Sequence, residues 1–575
     1  MRALVAALAI GITMCATASA ARAEEERDAP LEANEVPGEI VVDLKAGARP
    51  EDVAAVVRAA GGDVRWNSEW SEGGERLGLV HVASDKVAAL EAALGRDPAV
   101  EGVEENLVFR ADFVPNDPLY AEKQWHLARV GAERAWELGC GRGVTVAVVD
   151  TGVACFDKGP FTRGSDLQGT RCSGGYNFVH DSAEAFDDQG HGTHVAGTIA
   201  QTTNNGKGVA GLAYCANLMP IKVLNRSGWG TLADVAEGIR YAADHGASIV
   251  NLSLGGPRPA SVLQKAVRYA QSKDVLVVAA AGNSGKSVGY PAAYPGVVAV
   301  SATDSNDRIA WFSSRGKEVV IGAPGVSVTQ QTICEGGRNK CELFGTFNGT
   351  SMASPHVAGA AALVVGMGVS EPDAVRGILT GTARPKDDEK LYGAGILDAG
   401  AAAAKAHWSH VLERALALFA FFVLVARRVR KKGGWFRLSP LTLVAALAGG
   451  IGLAPFLPLL HVAPTLPDGV RTAAELLMRP VGEWDLVLVG QGLHRWLLFA
   501  SAGPALLGYV LFFGVRSLRP VLGGYAVGAA ALLMQIAFQA DVAFPLGTFL
   551  LRALALLNVG VLLWLARTAL DHKKV

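Results

Sequence analysis

The sequence predicts a central α/β domain with a parallel sheet flanked by helices, a small α+β domain before it, and a bundle of transmembrane helices after it. Between about residues 114 and 407, runs of β-branched residues alternate with helical stretches and glycine-rich turns. Residues 38–111 also alternate between strand-like and helix-like segments, over a shorter stretch. The chain after residue 408 is strongly apolar. At 575 residues the chain is too long for one compact core, so several domains are expected.

The amino terminus has the pattern of a secretory signal peptide. Arg2 precedes an apolar run over residues 3–14 and the small-residue sites at 18–20 and 21–23. A basic start, a short apolar segment and an A-x-A site are typical of exported chains, whereas the alternative, a membrane anchor, needs a longer run. We expect a signal peptide over residues 1–23 and a polar, flexible segment over 24–37.

Residues 38–111 predict a small α+β domain of ferredoxin-like organisation. Three segments read as strands and two as helices; they are residues 39–44, 77–82 and 100–104, and residues 50–60 and 84–94. The order of strands and helices fits a split β-α-β unit.

Residues 114–406 carry the pattern of a parallel sheet. The runs VTVAVVD, NLMPIKVL, ASIVNLSLGG and VLVVAAAGN are almost continuously apolar. Continuous apolar strands are buried on both faces, which is typical of parallel sheets covered by helices on each side.

Residues 409–566 predict a membrane region. We expect five spans, at 409–426, 440–460, 496–515, 521–540 and 546–566, each about the length that crosses a bilayer. Basic residues cluster at 427–437, at 516 and 519, and in the tail 567–575. With an exported amino-terminal region, the positive-inside rule places these clusters and the carboxyl terminus in the cytoplasm, and the segment 461–495 outside.

Six cysteines remain once the signal peptide is removed, at positions 140, 155, 172, 215, 334 and 341. An even count in an exported chain suggests disulfides. Cys334 and Cys341 are close enough in sequence for a small loop, and Cys155 with Cys172 is a second expected pair, which leaves Cys140 with Cys215. Free buried thiols are the alternative.

Three segments carry residues suited to nucleophilic catalysis. VTVAVVD ends at Asp150, DDQGHGTHVAGTIA holds His191, and FNGTSMASPHVAGAAAL holds Ser351. A serine hydroxyl needs an adjacent base, and a carboxylate orients the imidazole that serves as that base. The motifs and their order resemble the subtilase family of subtilisin-like serine peptidases over residues 114–406. The resemblance implies a serine endopeptidase with this triad and no catalytic cofactor.

Further site residues are implied by the same resemblance. Asn283 would donate to the oxyanion, although an asparagine after a strand is also common in turns. The segment Ser253, Leu254, Gly255 would pair with the backbone of a polypeptide substrate. Gly289 would form the floor of the primary specificity pocket beside the neutral Ser284, which favours a large hydrophobic residue before the cut bond.

The resemblance also implies a structural calcium ion and a propeptide. Asp166 and Asn205 are candidate calcium ligands, although such residues also occur in ordinary turns. Residues 38–111 resemble the inhibitor-like propeptide, with cleavage expected between about residues 110 and 116. His194 and His356 are interpreted as packed structural residues, because no Cys or carboxylate accompanies the HxxH spacing at ligand positions.

Charge and composition limit the alternatives. A net charge of -1 gives no support for a nucleic-acid partner. A membrane sensor or transporter with the peptidase as a processing module remains the second hypothesis, but ionisable residues inside the spans are scarce, which favours an anchor. A binding module with an inactive triad is the third, and the complete set of catalytic residues disfavours it. The expected partners are polypeptide substrates, the lipid bilayer and the chain's own propeptide.

Overall fold

The computed structural model describes residues 35–45, 47–68, 71, 77–107, 114–157, 161–333, 343–436, 438–461 and 465–572. The chain divides into two compact units, Met1–Ala111 and Asp112–Val575. The predicted signal peptide, residues 24–34, the Cys334–Cys341 pair and most of the expected cleavage region lie outside the described residues.

The amino-terminal unit is a four-stranded antiparallel sheet with two helices. Its elements are β1 Glu35–Leu44, α1 Pro50–Ala59, β2 Asp63–Trp66, β3 Leu77–His81, α2 Val87–Leu94 and β4 Val100–Leu107. The strand order β2-β3-β1-β4 is that of a ferredoxin-like sheet. The strand β2 was not predicted, because its alternation of polar and apolar residues, DVRW, covers only four positions and buries no side chain fully.

The second unit is built on an eight-stranded sheet whose neighbouring strands are all parallel. Its strands are β5 Thr145–Asp150, β6 Arg171–Cys172, β7 Tyr176–Asn177, β8 Asn217–Lys222, β9 Ile249–Leu252, β10 Leu276–Ala280, β11 Val298–Thr303 and β12 Val319–Pro324. Along the main path the order is β12-β11-β10-β9-β5-β8-β6. A separate antiparallel pair is formed by β13 Val328–Gln331 and β14 Phe344–Phe347.

Helices cover both faces of this sheet, as the apolar runs predicted. They are α3 Tyr120–Lys123, α4 Trp125–Arg129, α5 Ala132–Leu138, α6 His191–Ala200, α7 Leu232–Asp244, α8 Ser261–Ser272, α9 Thr350–Gly366, α10 Pro372–Gly381 and α11 Glu389–Tyr392. Val146 and Val148 of β5 join the core that contains α9. Ala147 and Val149, which point the other way, join the core that contains α7 and α8.

Two of the expected disulfides are present. Cys140 bonds to Cys215 with a Cα–Cα distance of 5.1 Å. Cys155 bonds to Cys172 with a Cα–Cα distance of 6.1 Å. These pairings are confirmed, and free thiols at the four positions are excluded.

The carboxyl-terminal region is helical but differs from the predicted five spans. Its elements are α12 Ala399–Lys431, β15 Trp435–Phe436, α13 Pro440–Gly450, α14 Asp468–Met478, α15 Trp484–Leu488, α16 Gln491–His494, α17 Ala502–Phe512, α18 Arg519–Gln539, α19 Thr548–Leu570 and β16 Asp571–His572. In the described residues three helices are long and apolar enough to cross a membrane, namely α12, α18 with its preceding turn from Arg516, and α19.

The second and third expected spans contain only short helices. α13 and α17 have 11 residues each, about 16 Å of helix against about 30 Å of hydrocarbon. α13 ends where Gly452 takes a φ of +114°, and prolines at 455 and 458 follow that cannot continue a helix. Apolar composition predicted these two spans, and the local backbone breaks them.

The peptidase region and the apolar region share one helix. α12 has 33 residues and is capped by Asp398, whose carboxylate accepts from the backbone N–H of Ala401 at 2.8 Å. The boundary predicted between residues 406 and 409 therefore lies inside a continuous helix.

Side chains of the apolar region also contact the end of α9. Gln491 Nε2 donates to the carbonyl of Val365 at 3.1 Å, and Arg479 donates to the carbonyl of Gly366. The carbonyl of Asp541 accepts from the backbone N–H groups of Ser370 and Glu371 at 2.7 and 2.9 Å.

Ionisable residues of this region form one buried network. Arg414 pairs with Glu483 and donates to Gln535 Oε1 at 3.1 Å. His410 Nε2 lies 2.7 Å from Asp541 Oδ2. The few ionisable residues of this network are thus paired, and the cavity beside them has a volume of only about 20 Å³.

Candidate active site

The predicted catalytic residues lie at the carboxyl ends of adjacent strands. Asp150 is the last residue of β5 and is fully buried. His191 is the first residue of α6, and Ser351 lies in the first turn of α9. Asn283 follows β10, and Ser253 follows β9. In an open α/β sheet this edge is where ligands bind.

Asp150 and His191 are in direct contact. Asp150 Oδ1 lies 2.7 Å from His191 Nδ1, and the backbone N–H of Thr151 donates to the same oxygen at 2.7 Å. Burial lowers the pKa of His191, but the charge and hydrogen bond of Asp150 outweigh it, so that the pKa is raised above the ordinary 6.5. The contact depends on Gly192, because a Cβ there would lie 2.1 Å from the carbonyl oxygen of Gly152.

Ser351 is held at the amino terminus of α9. Its hydroxyl donates to the carbonyl of Ser253 at 3.1 Å, and Ser253 Oγ donates to the carbonyl of Ser351 at 2.8 Å. No hydrogen bond joins Ser351 to His191 in this structure, although both residues are among those described. Such bonds are often long or absent without substrate.

Asn283 is fixed by Thr350, the residue before Ser351. Asn283 Oδ1 accepts from the backbone N–H of Thr350 at 2.8 Å and from its hydroxyl at 2.9 Å. This leaves the Nδ2 group of the exposed side chain as the donor. Gly349 lies beside it: a Cβ there would be 3.3 Å from Nδ2.

Two residues that were not predicted from the sequence organise this edge. The first is Asp187, which accepts from Thr151 Oγ1 at 2.9 Å and from Thr193 Oγ1 at 2.6 Å, and whose oxygens also receive backbone N–H groups at the start of α6. An acidic residue shortly before a helix is a capping signal that could have identified it.

The second is Lys222, at the end of β8. Its buried ammonium group donates to the carbonyl of Thr151 at 2.6 Å and to Asp188 Oδ1 at 2.7 Å. A lysine that ends an apolar strand is a signal of a paired buried charge, and β8 is paired with β5 so that Lys222 lies opposite Asp150.

The segment predicted to bind substrate borders a cleft. The cleft has a volume of about 510 Å³, and His191, Ser253, Leu254 and Gly255 are among its lining residues. The next residue, Gly256, exchanges two backbone hydrogen bonds of 2.8 Å with Tyr290. These bonds hold the segment beside the loop that contains Gly289.

Gly289 is not one of the described residues that line this cleft. A Cβ at Gly289 would lie 3.1 Å from the carbonyl oxygen of Gly256, tighter than ordinary van der Waals contact. Ser284 is exposed, and its hydroxyl lies 3.1 Å from Ser314 Oγ.

The predicted calcium ligands are neighbours. Asn205 Nδ2 donates to Asp166 Oδ1 at 2.7 Å, and Asp166 Oδ2 accepts from the backbone N–H of Val209 at 2.9 Å. Asp166 is buried, and burial raises its pKa to about 6. Asp117 is also buried and raises that pKa further through its charge. Among the described residues no cationic side chain pairs with either carboxylate, so a calcium ion fits the electrostatics of this donor set.

His194 and His356 have structural partners. His194 Nε2 lies 3.1 Å from the carbonyls of Val328 and Gly345, and its ring stacks on Phe347. His356 Nδ1 lies 2.8 Å from the carbonyl of Met352. Burial lowers the pKa of both, to about 3 for His194 and about 4 for His356. These contacts agree with the interpretation as packed, neutral residues.

Comparison with known proteins identifies the family. The model of the subtilase family matches residues 141–395. The chain is 39% identical over 335 residues to the thermophilic serine proteinase of Bacillus sp. (strain AK1), covering 58% of this chain and 79% of that protein. It is 40% identical over 286 residues to thermitase of Thermoactinomyces vulgaris, covering 49% and 94%. It is 44% identical over 281 residues to subtilisin Savinase of Lederbergia lenta, covering 48% and 97%. The chain therefore belongs to the subtilase family and is a serine endopeptidase.

Proposed function

We propose that this endopeptidase uses Asp150, His191 and Ser351 as its catalytic triad and acts at a membrane surface. The observation that carries the proposal is the 2.7 Å contact between Asp150 and His191, at the same sheet edge as the helix that begins with Thr350 and Ser351.

The reaction begins with the Ser351 hydroxyl. It leaves the Ser253 carbonyl and donates to His191 Nε2, which takes the proton as Oγ attacks the substrate carbonyl carbon. Negative charge forms on the carbonyl oxygen. It is stabilised by hydrogen bonds from Asn283 Nδ2 and from the amino-terminal amides of α9. Asp150 stabilises the imidazolium and keeps Nδ1 protonated.

The acyl-enzyme then forms and breaks. His191 returns the proton to the leaving amine, the C–N bond breaks, and the acyl group stays on Ser351 as an ester. Water repeats the sequence: His191 takes its proton, hydroxyl oxygen adds to the ester carbon, and Ser351 leaves with the proton restored.

Substrates bind as an added strand along Ser253, Leu254 and Gly255, through backbone hydrogen bonds that do not depend on side chains. Preference arises at the residue before the cut bond. Gly289 has no side chain to fill the pocket, and Ser284 is neutral, so a large hydrophobic side chain fits best.

The amino-terminal unit, residues 38–111, serves as a propeptide that assists folding and inhibits the enzyme until it is cleaved. Its ferredoxin-like strand order and its position directly before the peptidase region support this assignment. The expected cleavage between residues 110 and 116 would separate the two compact units at their boundary.

The apolar region anchors the peptidase in the membrane, with the peptidase on the extracytoplasmic face and the carboxyl terminus in the cytoplasm. Three helices of sufficient length support this placement, as does the contact of segment 468–495 with the peptidase region, through Gln491 for example. A transport path is disfavoured because the cavity beside the buried charges, about 20 Å³, holds roughly one water molecule.

Asp166, together with Asn205 and the neighbouring Asp117, would hold a structural calcium ion. The ion would neutralise two buried carboxylates. Asn205 would turn its amide so that the oxygen faces the ion, giving up the bond from Nδ2 to Asp166.

The test is labelling of the full chain with a fluorophosphonate. Wild type is expected to be labelled, Ser351→Ala to lose the label, and Asp150→Asn to be labelled far more slowly because His191 is no longer held in the reactive tautomer. Ser272→Ala, at an exposed serine that ends α8, is the matched control and keeps the label. Labelling that persists in Ser351→Ala would exclude the triad assignment.

A further inference from the structure

The facing sides of α12 and α19 enclose a small groove at their carboxyl-terminal ends. Its volume is about 50 Å³, and its lining residues are Leu424, Val425, Arg428, Gly560, Leu563, Trp564 and Arg567. On α19 the lining residues recur at intervals of three and four, so they form one stripe along the helix. Each stripe ends in an arginine.

The two arginines bring uncompensated positive charge to one place. Among the described residues, neither guanidinium has an ion pair or a side-chain hydrogen bond. No carboxylate lines the groove. Two adjacent guanidinium groups repel each other, and a phosphate between them would receive paired N–H donors from both.

The rest of the groove is apolar. Leu563 and Leu424 are half-buried, and Trp564 is 57% exposed. Gly560 has nothing within 4 Å of the position a Cβ would take, so the groove stays open along α19. From Gly560 to Arg567 the stripe is about 10 Å long, enough apolar wall for part of an acyl chain. An exposed tryptophan near a basic helix end is typical of the interface between lipid and water.

We propose that this groove, defined by Arg428, Arg567, Trp564 and Gly560, binds an anionic phospholipid, with the phosphate between the arginines and an acyl chain along Trp564 and Gly560. The proposal rests on the membrane placement of α12 and α19. An anionic headgroup is favoured over a zwitterionic one, because a choline group would bring a further positive charge to the two guanidinium groups. A free phosphate would leave the apolar wall unused.

The experiment is native mass spectrometry of the detergent-solubilised full chain carrying Ser351→Ala, titrated with phosphatidylglycerol, phosphatidylcholine or inorganic phosphate. The test variants are Arg428→Gln alone and the double variant Arg428→Gln with Arg567→Gln. The matched control for Arg428→Gln is Arg427→Gln, which removes one positive charge from an exposed neighbour that does not line the groove. Loss of one charged hydrogen-bond partner weakens binding about tenfold.

Phosphatidylglycerol is expected to bind in preference to phosphatidylcholine, the double variant to lose at least tenfold in affinity, and Arg427→Gln to keep it. Equal loss in Arg427→Gln would show a diffuse charge effect and overturn the proposal. Equal binding of phosphatidylcholine, or displacement of the lipid by inorganic phosphate, would also overturn it. Fluorophosphonate labelling of the same variants with Ser351 intact reports the fold of the active site, so a failed lipid site is distinguished from a failed peptidase assignment.

Discussion

Replacing Asp166 by asparagine tests the buried carboxylate pair that we assign to calcium. In the metal-free protein, burial raises the pKa of Asp166 from 3.8 to about 6. The folded state therefore binds the proton more tightly than the unfolded state. As the pH rises from about 4 to 6, the unfolded chain releases this proton first, and folded stability falls.

The size of the effect follows from the shift. Each pKa unit corresponds to about 1.4 kcal/mol, so a shift of about two units destabilises the folded state by about 3 kcal/mol above pH 6. For a cooperative unit of roughly 300 residues this is about 5 °C in Tm. The side-chain amide of the Asp166→Asn variant cannot ionise, so the variant escapes this penalty, and calcium has no carboxylate to neutralise there.

The assay is thermal unfolding of the full chain in detergent, with Ser351→Ala present to prevent autolysis. At pH 4.5 about 1 kcal/mol of this penalty is already present, because that pH lies above the unfolded pKa of 3.8. In EDTA, Asp166→Asn is therefore expected to gain about 3 °C relative to its parent on going from pH 4.5 to 7.5. Calcium is expected to raise the Tm of the parent more at pH 7.5 than at pH 4.5, and to leave Asp166→Asn nearly unchanged.

Asp387→Asn, at an exposed carboxylate, controls for the loss of one negative charge and should show no pH-dependent difference. If Asp166→Asn is destabilised equally at both pH values in EDTA, the buried carboxylate carries no ionisation penalty and the reasoning is refuted. If the variant keeps the full calcium response, Asp166 is not a ligand.

Two further predictions concern the chemistry. Asn283→Ala should lower kcat about 10²–10³-fold with little change in KM, the loss measured for this donor in a related enzyme; steady-state kinetics on a chromogenic peptide checks this, and an equal rise in KM would indicate a role in ground-state binding instead. Because Asp150 raises the pKa of His191 above 6.5 and only the neutral imidazole accepts the serine proton, kcat/KM should rise with pH through a midpoint above 6.5. A midpoint below 6 would show that burial outweighs Asp150.

Features determined by a few consecutive residues could be predicted from the sequence. The strand that ends at Asp150 is an uninterrupted apolar run, and such runs fix both the element and its burial. Gly192, next to His191, lets the backbone pass close to the carbonyl oxygen of Gly152. A Cβ at Gly192 would lie only 2.1 Å from that oxygen. These constraints involve neighbouring residues of one motif, so the motif alone predicts them.

Features that depend on distant partners could not be predicted. Lys222 reads as the end of a strand, and only the pairing of β8 with β5 places its ammonium beside Thr151 and Asp188. Arg414 interrupts an apolar run, and only the fold brings Glu483 to it from 69 residues away. Composition also overestimated the spans, because mean apolarity does not register the turns at Gly452 and Leu497, both of positive φ.

The contacts at the end of α9 link the apolar carboxyl-terminal region to the catalytic serine. α9 has 17 residues, with Ser351 in its first turn, and its last carbonyls accept from Gln491 and from Arg479. An α-helix of this length is stiff, so groups that fix its last turn also restrict the position of its first.

The segment beside the end of α9 is tied in the same way, because a Cβ at Gly366 would lie 3.6 Å from the carbonyl oxygen of Arg142. Arg142 is buried and pairs with Glu475 at 3.0 Å, and removing one member of a buried pair leaves an uncompensated charge that costs about 3–5 kcal/mol. A chain cut at the boundary that the motifs suggest, near residue 406, would lose this partner, both donors to α9, and most of α12. The helical region is therefore part of the folded support of the peptidase, and the residues that position Ser351 extend into the segment 468–495.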